Sequence, residues 1–514
     1  MLKTYIPRLF AIAVAAAFAS SDAVAQKAQD TIRIGVLDSF SMLDHYHFST
    51  DEAGAFSRNI HQPLIAYDEH KKKWIGVLAE SFRRVGDRTI EFDLRQGVTF
   101  HNGNKFDAND VKGLLDYLRD PKVKFRFKER YTWVKEVEVL SPYKVRIHAE
   151  TLISTQDLGI LAYRVRLYDA ETLNALKDKT EYGKTSPGTG PYRMVSLDRN
   201  SGIVVERVEN HWDKSGYYPS PVKRVEGKFI SDRQTQIAQL LTGGIDVMRN
   251  ITVDDAANLS ANPNLAVTPT SSSMLLYVTL DGAGRSPNKV MTDVRVRRAF
   301  IQAIDRKHLV TTLVPGGNIA RIPGAICFDS TLACEEPAEK VYPYDPAAAK
   351  QLLIEAGYPD GIELVLHAHE PVKHIAEAIA GEVRKVGIRA SVESLTIALY
   401  VKKRGDGEFT AFTGFFPAGT HPDLAVIMDF FFGANRDYWK DDNIHNIIDK
   451  GGTEFDDAKR ANLYMPALAR INKQAYILPI SELPIVWAHN KDIFVKKNSL
   501  SAAVPILGDY GWKK

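Results

Sequence analysis

The sequence predicts a mixed α/β protein of more than one domain, and three observations predict it. The chain has 514 residues, well beyond the roughly 150 that one hydrophobic core usually organises. Strand-like period-2 segments and helix-like period-3.6 segments alternate along it, with no repeat period and no low-complexity tract. Its 45% hydrophobic and 25% charged residues are the composition of a globular chain rather than a disordered or fibrous one.

At the start, Lys3 and Arg8 precede the apolar run Leu9 to Ala19 and the small-residue site Ala23-Val24-Ala25, so residues 1–25 are expected to be a secretory signal cleaved near Ala25. The run is too short to span a membrane, which takes about 20 residues. The mature protein is therefore expected in the periplasm. A lipid anchor would need a cysteine at the cleavage point, and the sequence holds only Cys327 and Cys334. Both lie in one Pro-bounded loop, PGAICFDSTLACEEP, and in an exported chain they are expected to form a disulfide. A redox pair or two buried thiols are the alternatives.

Basic residues number 66 against 63 acidic, a net charge of +3 spread without long runs. Nothing in that pattern suggests a nucleic-acid footprint or a polybasic membrane patch.

Thr89 to Leu94 alternates as a half-buried strand, an Asn-Gly turn follows, and a helix is expected from Asp107. Asp107 sits where an N-cap accepts a backbone N–H, with Asp110 in the capping-box position. Val111, Leu114, Leu115 and Leu118 then make one buried stripe. The carboxylates around His101 are thus accounted for by capping and solvation, and His101 is expected to be a surface or hydrogen-bonded turn histidine rather than a catalytic one. Farther on, Val296, Ala299, Phe300, Ala303 and Ile304 form an amphipathic face, and Asp305 can cap a new helix. Asp345 caps, Pro346 takes the first helical position and Gly357 ends the next helix. A helix from Ile375 to Val386 should stop at Gly387 before the strand IRASVES.

The stretch LAESFRRVGDRTIEFDLRQGVTFHNGNKFDANDVKGLL resembles the signature of the family 5 extracellular solute-binding proteins, the peptide and nickel type of binding component of bacterial ABC importers. GTGPYRMVSL with VVERVENHWD, RQTQIAQLLTGGIDVM, VRVRRAFIQAIDRKHLV and YDPAAAKQLLIEAGYPDGIEL resemble further family segments in the family's order. The resemblance implies an α/β, two-lobed periplasmic binding protein fold of type II, with the extra inserted domain of the large peptide-binder class. By the matched motifs, lobe I would take residues 26–62, 186–282 and 486–514, the inserted domain 63–185, and lobe II 283–485. The implied function is capture of a peptide or peptide-like solute between two closing lobes and delivery to inner-membrane ABC permease subunits with their ATPases. The expected protein is a monomer, not an enzyme, with no cofactor, no metal and no nucleic-acid partner.

RGDGEFTAFTGFFPAGTHPDLAVIMDFFFG resembles the family segment Gly-Trp-x-x-Asp-x-x-x-Pro-Asp, whose first aspartate pairs with a peptide's α-amino group. Here Phe415 stands for the tryptophan and Ala418 for that aspartate. The resemblance makes Phe415, Phe416, Ala418, Thr420, His421 and Asp423 the expected ligand-binding residues, with Tyr46 and His47 from LDHYHFST. Phe415 and Phe416 would lie on opposite faces of a strand, so core packing is the alternative for each. Asp423 is the nearby acid that could take over the missing anchor.

Two rival functions stay open. The same fold could bind a non-peptide solute, such as a metal chelate or an opine. An exported metallohydrolase could use His367 and His369, which share a strand face. Against it, His374 lies five residues beyond His369, about 140° around a helix, and Pro371 intervenes. The sequence has neither a Gly-x-Ser-x-Gly elbow nor a phosphate-cradling loop.

Overall fold

The strand Thr31–Val36 is buried along its whole length because it runs through the middle of a seven-stranded sheet. In the computed structural model, which describes residues 27–47, 50–68, 71, 73–125, 127–328, 331–416, 423–496 and 506–514, this sheet organises the first of two compact units. The expected signal, residues 1–25, lies outside the described residues. Thr31–Val36 pairs in parallel with Arg224–Phe229 and Val247–Arg249. The remaining neighbours, Gly202–Arg207, Tyr192–Asp198, Ile485–Asn490 and Leu265–Thr270, are antiparallel additions on either side. The parallel step needs a crossover, supplied by the helix Arg233–Thr242, capped by Asp232 and ended by Gly243 at φ 78°. Asp246 of the Gly-Gly-Ile-Asp stretch then accepts from Arg33 Nε and Nη2, each at 3.0 Å, which ties the strand ends together.

The same unit holds a four-stranded antiparallel sheet of Ala79–Arg84, Thr89–Leu94, Lys144–Ala149 and Val134–Ser141. The helix Ala108–Arg119 packs on it through Val111, Leu114, Leu115 and Leu118, and Asp107 and Asp110 form the full reciprocal capping box. His101 joins this sheet's loop to the Thr-Gly-Pro-Tyr stretch: its Nε2 lies 2.9 Å from Gly190 O, and Gly188 N donates to its Nδ1 at 3.3 Å. The glycines there are obligatory for space. A Cβ at Gly188 would sit 1.9 Å from Ile60 O, and one at Gly190 2.2 Å from Asn59 O.

The second unit comprises Ser154–Gly159 and Ser271–Pro484. Its five-stranded sheet runs in the order Ile388–Leu395, Ile362–His369, Ala411–Phe416, Leu275–Leu280, Ile477–Glu482. The first three strands are mutually parallel and Leu275–Leu280 is antiparallel to both its neighbours. Helices Val294–Gln302, Pro346–Glu355 and Lys373–Arg384 carry buried residues of the cluster that includes Val278 and Leu366. A second cluster holds Tyr277 and Phe412 with Leu424, Phe431 and Leu468. Neighbouring positions on one strand, Tyr277 and Val278, thus enter different cores, which makes both faces of this sheet buried.

The division falls between Thr270 and Ser271, earlier than the expected boundary after residue 282. The reason is the ladder of Leu275–Leu280, which pairs with Ala411–Phe416 and Ile477–Glu482 and so joins the second unit. The expected inserted segment 63–185 falls in the first unit except for Ser154–Gly159.

Candidate functional site

Strand pleating separates Phe415 from Phe416. Phe416 is 3% exposed, with its ring centroid 5.0 Å from Phe430 and 6.2 Å from Phe328, so it is packed in the second unit's core. Phe415 faces the other way, is half-buried, and lies 5.3 Å from the ring of His369. The ring of His369 is in turn 5.8 Å from Tyr400. Burial pulls the His369 imidazole below its ordinary pKa, which favours the neutral ring. The parallel pairing of Ile362–His369 with Ala411–Phe416 is what brings these rings together. Gly414 lets Tyr400 approach: a Cβ there would meet Tyr400 Oη at 2.9 Å and Tyr277 Oη at 3.2 Å.

Asp423 is fully buried and committed twice. One oxygen caps the helix Leu424–Phe432 by accepting from Ala425 N at 2.8 Å, and the other pairs with Arg460 Nη2. The buried cation was invisible in the sequence window, because Arg460 lies 37 residues away. Ala418, Thr420 and His421 lie outside the described residues.

In the first unit Tyr46 is 2% exposed. Its hydroxyl accepts from Arg166 N and donates to Arg166 O, each at 2.9 Å, and its ring packs on Tyr168 at 5.2 Å and Tyr131 at 5.9 Å. His47 is held between Asp44 Oδ2, 3.0 Å from its Nδ1, and Tyr117 Oη, 3.2 Å from its Nε2. Asp44 also accepts from the backbone N–H of Tyr46 and of His47, so the local turn fixes the histidine. Sequence reading missed Asp44 and Tyr117. The Asp at i−3 was a readable signal, whereas Tyr117 comes from a distant helix.

The family model of the bacterial extracellular solute-binding proteins, family 5 middle, matches residues 73–438. The chain belongs to this family. The glutathione-binding protein GsiB of Salmonella paratyphi A is 26% identical to it over 505 residues, covering 94% of each chain. Among solved structures, HbpA2 from Haemophilus parasuis superposes with a TM-score of 0.80 at 20% identity, covering 94% of this chain and 100% of that one. NikA from Brucella suis in complex with Fe(III)-EDTA superposes with a TM-score of 0.78 at 21% identity, over 94% and 100%. The architecture is therefore the α/β fold of the family 5 binding proteins.

In this family 5 protein the two histidines of the metallohydrolase alternative are otherwise engaged. The His367 ring stacks on Phe409 at 4.3 Å, and its Nε2 is 3.2 Å from Glu393 Oε2, which sits beside Lys403. Burial holds His367 below its ordinary pKa. His369 turns to Phe415 and Tyr400 instead. Among the described residues, no three His, Cys, Asp or Glu side chains come together as a metal set. No described helix is long and apolar enough to cross a membrane.

Proposed function

We propose that this family 5 solute-binding protein works in the periplasm, after removal of residues 1–25, capturing a peptide or peptide-like solute and handing it to an inner-membrane ABC permease. The observation that carries the cargo class is the similarity, over 94% of both chains, to a relative named for glutathione binding. Phe415, beside His369, would supply an aromatic wall for the solute, since it packs against the cluster of Val278 and Leu366 yet is only half-buried, whereas Phe416 is buried. Ala418, Thr420 and His421 follow it in the chain and remain proposed contacts, as does His47. The protein acts as a monomer and needs no cofactor in this reading.

A non-peptide solute is the second reading, and one observation favours it. The acid that could have replaced the amino-group anchor, Asp423, is bound to Arg460 and to a helix N-terminus. Calorimetry with glutathione, N-acetylated and free tripeptides, an opine and a nickel–histidine chelate separates the two. Saturable binding of one or more peptides supports the first reading. Binding confined to the opine or the chelate supports the second.

A further inference from the structure

The disulfide Cys327–Cys334 spans a sequence separation of 7 with its Cα atoms 5.9 Å apart. Two residues inside that small ring reach outward. The Phe328 ring lies 6.2 Å from Phe416, the last described residue of its strand. Leu332 forms an isolated parallel bridge with Asp423, and its carbonyl accepts from Leu424 N at 3.1 Å. One ring thus touches the end of the strand that carries Phe415 and the start of the helix Leu424–Phe432.

The ring is itself fixed from outside. Arg321 Nη1 donates to Cys327 O at 3.3 Å and to Glu482 Oε1 at 2.8 Å, and its Nη2 donates to Glu336 Oε1 at 2.6 Å. Glu482 closes the sheet strand Ile477–Glu482. Inside the ring, Phe328 N donates to Thr331 Oγ1 at 3.1 Å, and both Cys327 and Phe328 are buried. The crosslink joins residues only 7 apart, so what it fixes directly in the folded protein is local.

We propose that Cys327 and Cys334 are positioning residues for the solute wall: their bond holds Phe328 against Phe416 and Leu332 against Asp423, and losing it loosens the helix start and weakens solute binding while the sheet stays intact. The binding consequence rests on the reading that Phe415, next to Phe416 on that strand, contacts the solute. Hydrogen exchange on the full-length oxidised protein, on the Cys327→Ser/Cys334→Ser variant and on wild type reduced with a water-soluble phosphine tests the structural half. The reduced wild type decides the matter if the variant fails to fold. Without the bond, amides of Leu424 and Ala425 should accelerate by about tenfold or more beyond any acceleration in Leu275–Leu280 and Ile362–His369. Unchanged exchange at Leu424, or equal acceleration across the unit, overturns the clamp.

Calorimetry with S-methylglutathione, which has no thiol to exchange with the disulfide, tests the functional half. An affinity lower by about tenfold or more in the bond-free protein supports it, and equal affinity overturns it. If S-methylglutathione does not bind the oxidised wild type, the same comparison is made with a peptide of the panel that does; binding of no peptide overturns the functional half together with the peptide reading, and the exchange experiment still decides the clamp.

Discussion

Asp423 and Arg460 form an ion pair in which neither side chain is exposed, and the same carboxylate caps a helix. Such a group is structural before it is anything else. Removing one partner of a buried pair leaves an uncompensated charge, at a cost of about 3 to 5 kcal/mol. Asp423→Asn should therefore lower stability by that order in a urea titration. If it instead left stability unchanged and abolished binding of peptides with a free amino group, Asp423 would be a ligand anchor and the assignment of its partner would be wrong.

The two neighbouring phenylalanines should separate stability from binding. Phe416→Ala removes a ring with 3% exposure from the core and should cost about 3 to 5 kcal/mol. Phe415→Ala removes a half-buried ring beside His369 and should weaken solute binding more than it lowers the melting temperature. Melting curves and calorimetry on both variants check this, and the reverse pattern would exchange their roles.

His101 predicts an acid sensitivity. Burial lowers its pKa to about 4 from the ordinary 6.5. Below pH 6.5 the unfolded chain binds a proton that the folded one refuses, so this contribution is present above pH 6.5 and is lost as pH falls toward 4. The slope for one such group is at most about 1.4 kcal/mol per pH unit. Wild type should therefore lose stability more steeply between pH 6.5 and 4 than His101→Asn, and identical slopes would show that the ring is protonated in place.

Opening the disulfide should cost about 2 to 3 kcal/mol of stability, the entropy of closing a short ring in the unfolded chain. Peptide mapping of protein exported to an oxidising compartment should recover Cys327 joined to Cys334. Two free thiols would remove both this prediction and the clamp.

Local chemistry made much of the fold readable. The capping box at Asp107 and Asp110, the stripe through Leu118, the break at Asp305 and the stop at Gly357 are all short-range signals, and the structure has each of them. The helix expected from Ile375 runs instead from Lys373, after a 3-10 turn that accommodates Pro371. Long-range pairings were not readable. Nothing near Asp423 announces Arg460, and nothing near Phe415 announces that a parallel strand will bring His369 against it. The same limit hid the placement of Leu275–Leu280, a run buried at every position, whose sequence does not name the sheet it joins. Tyr46 illustrates the converse: an aromatic in an expected pocket region became core because Arg166 satisfies its hydroxyl.

Whether this family 5 protein carries a peptide or peptide-like solute is read from native mass spectrometry of the protein isolated from the cells that make it. A retained solute whose fragmentation shows amide-linked amino acids is the predicted result. A retained metal chelate or opine, with no amide-linked component, would contradict it.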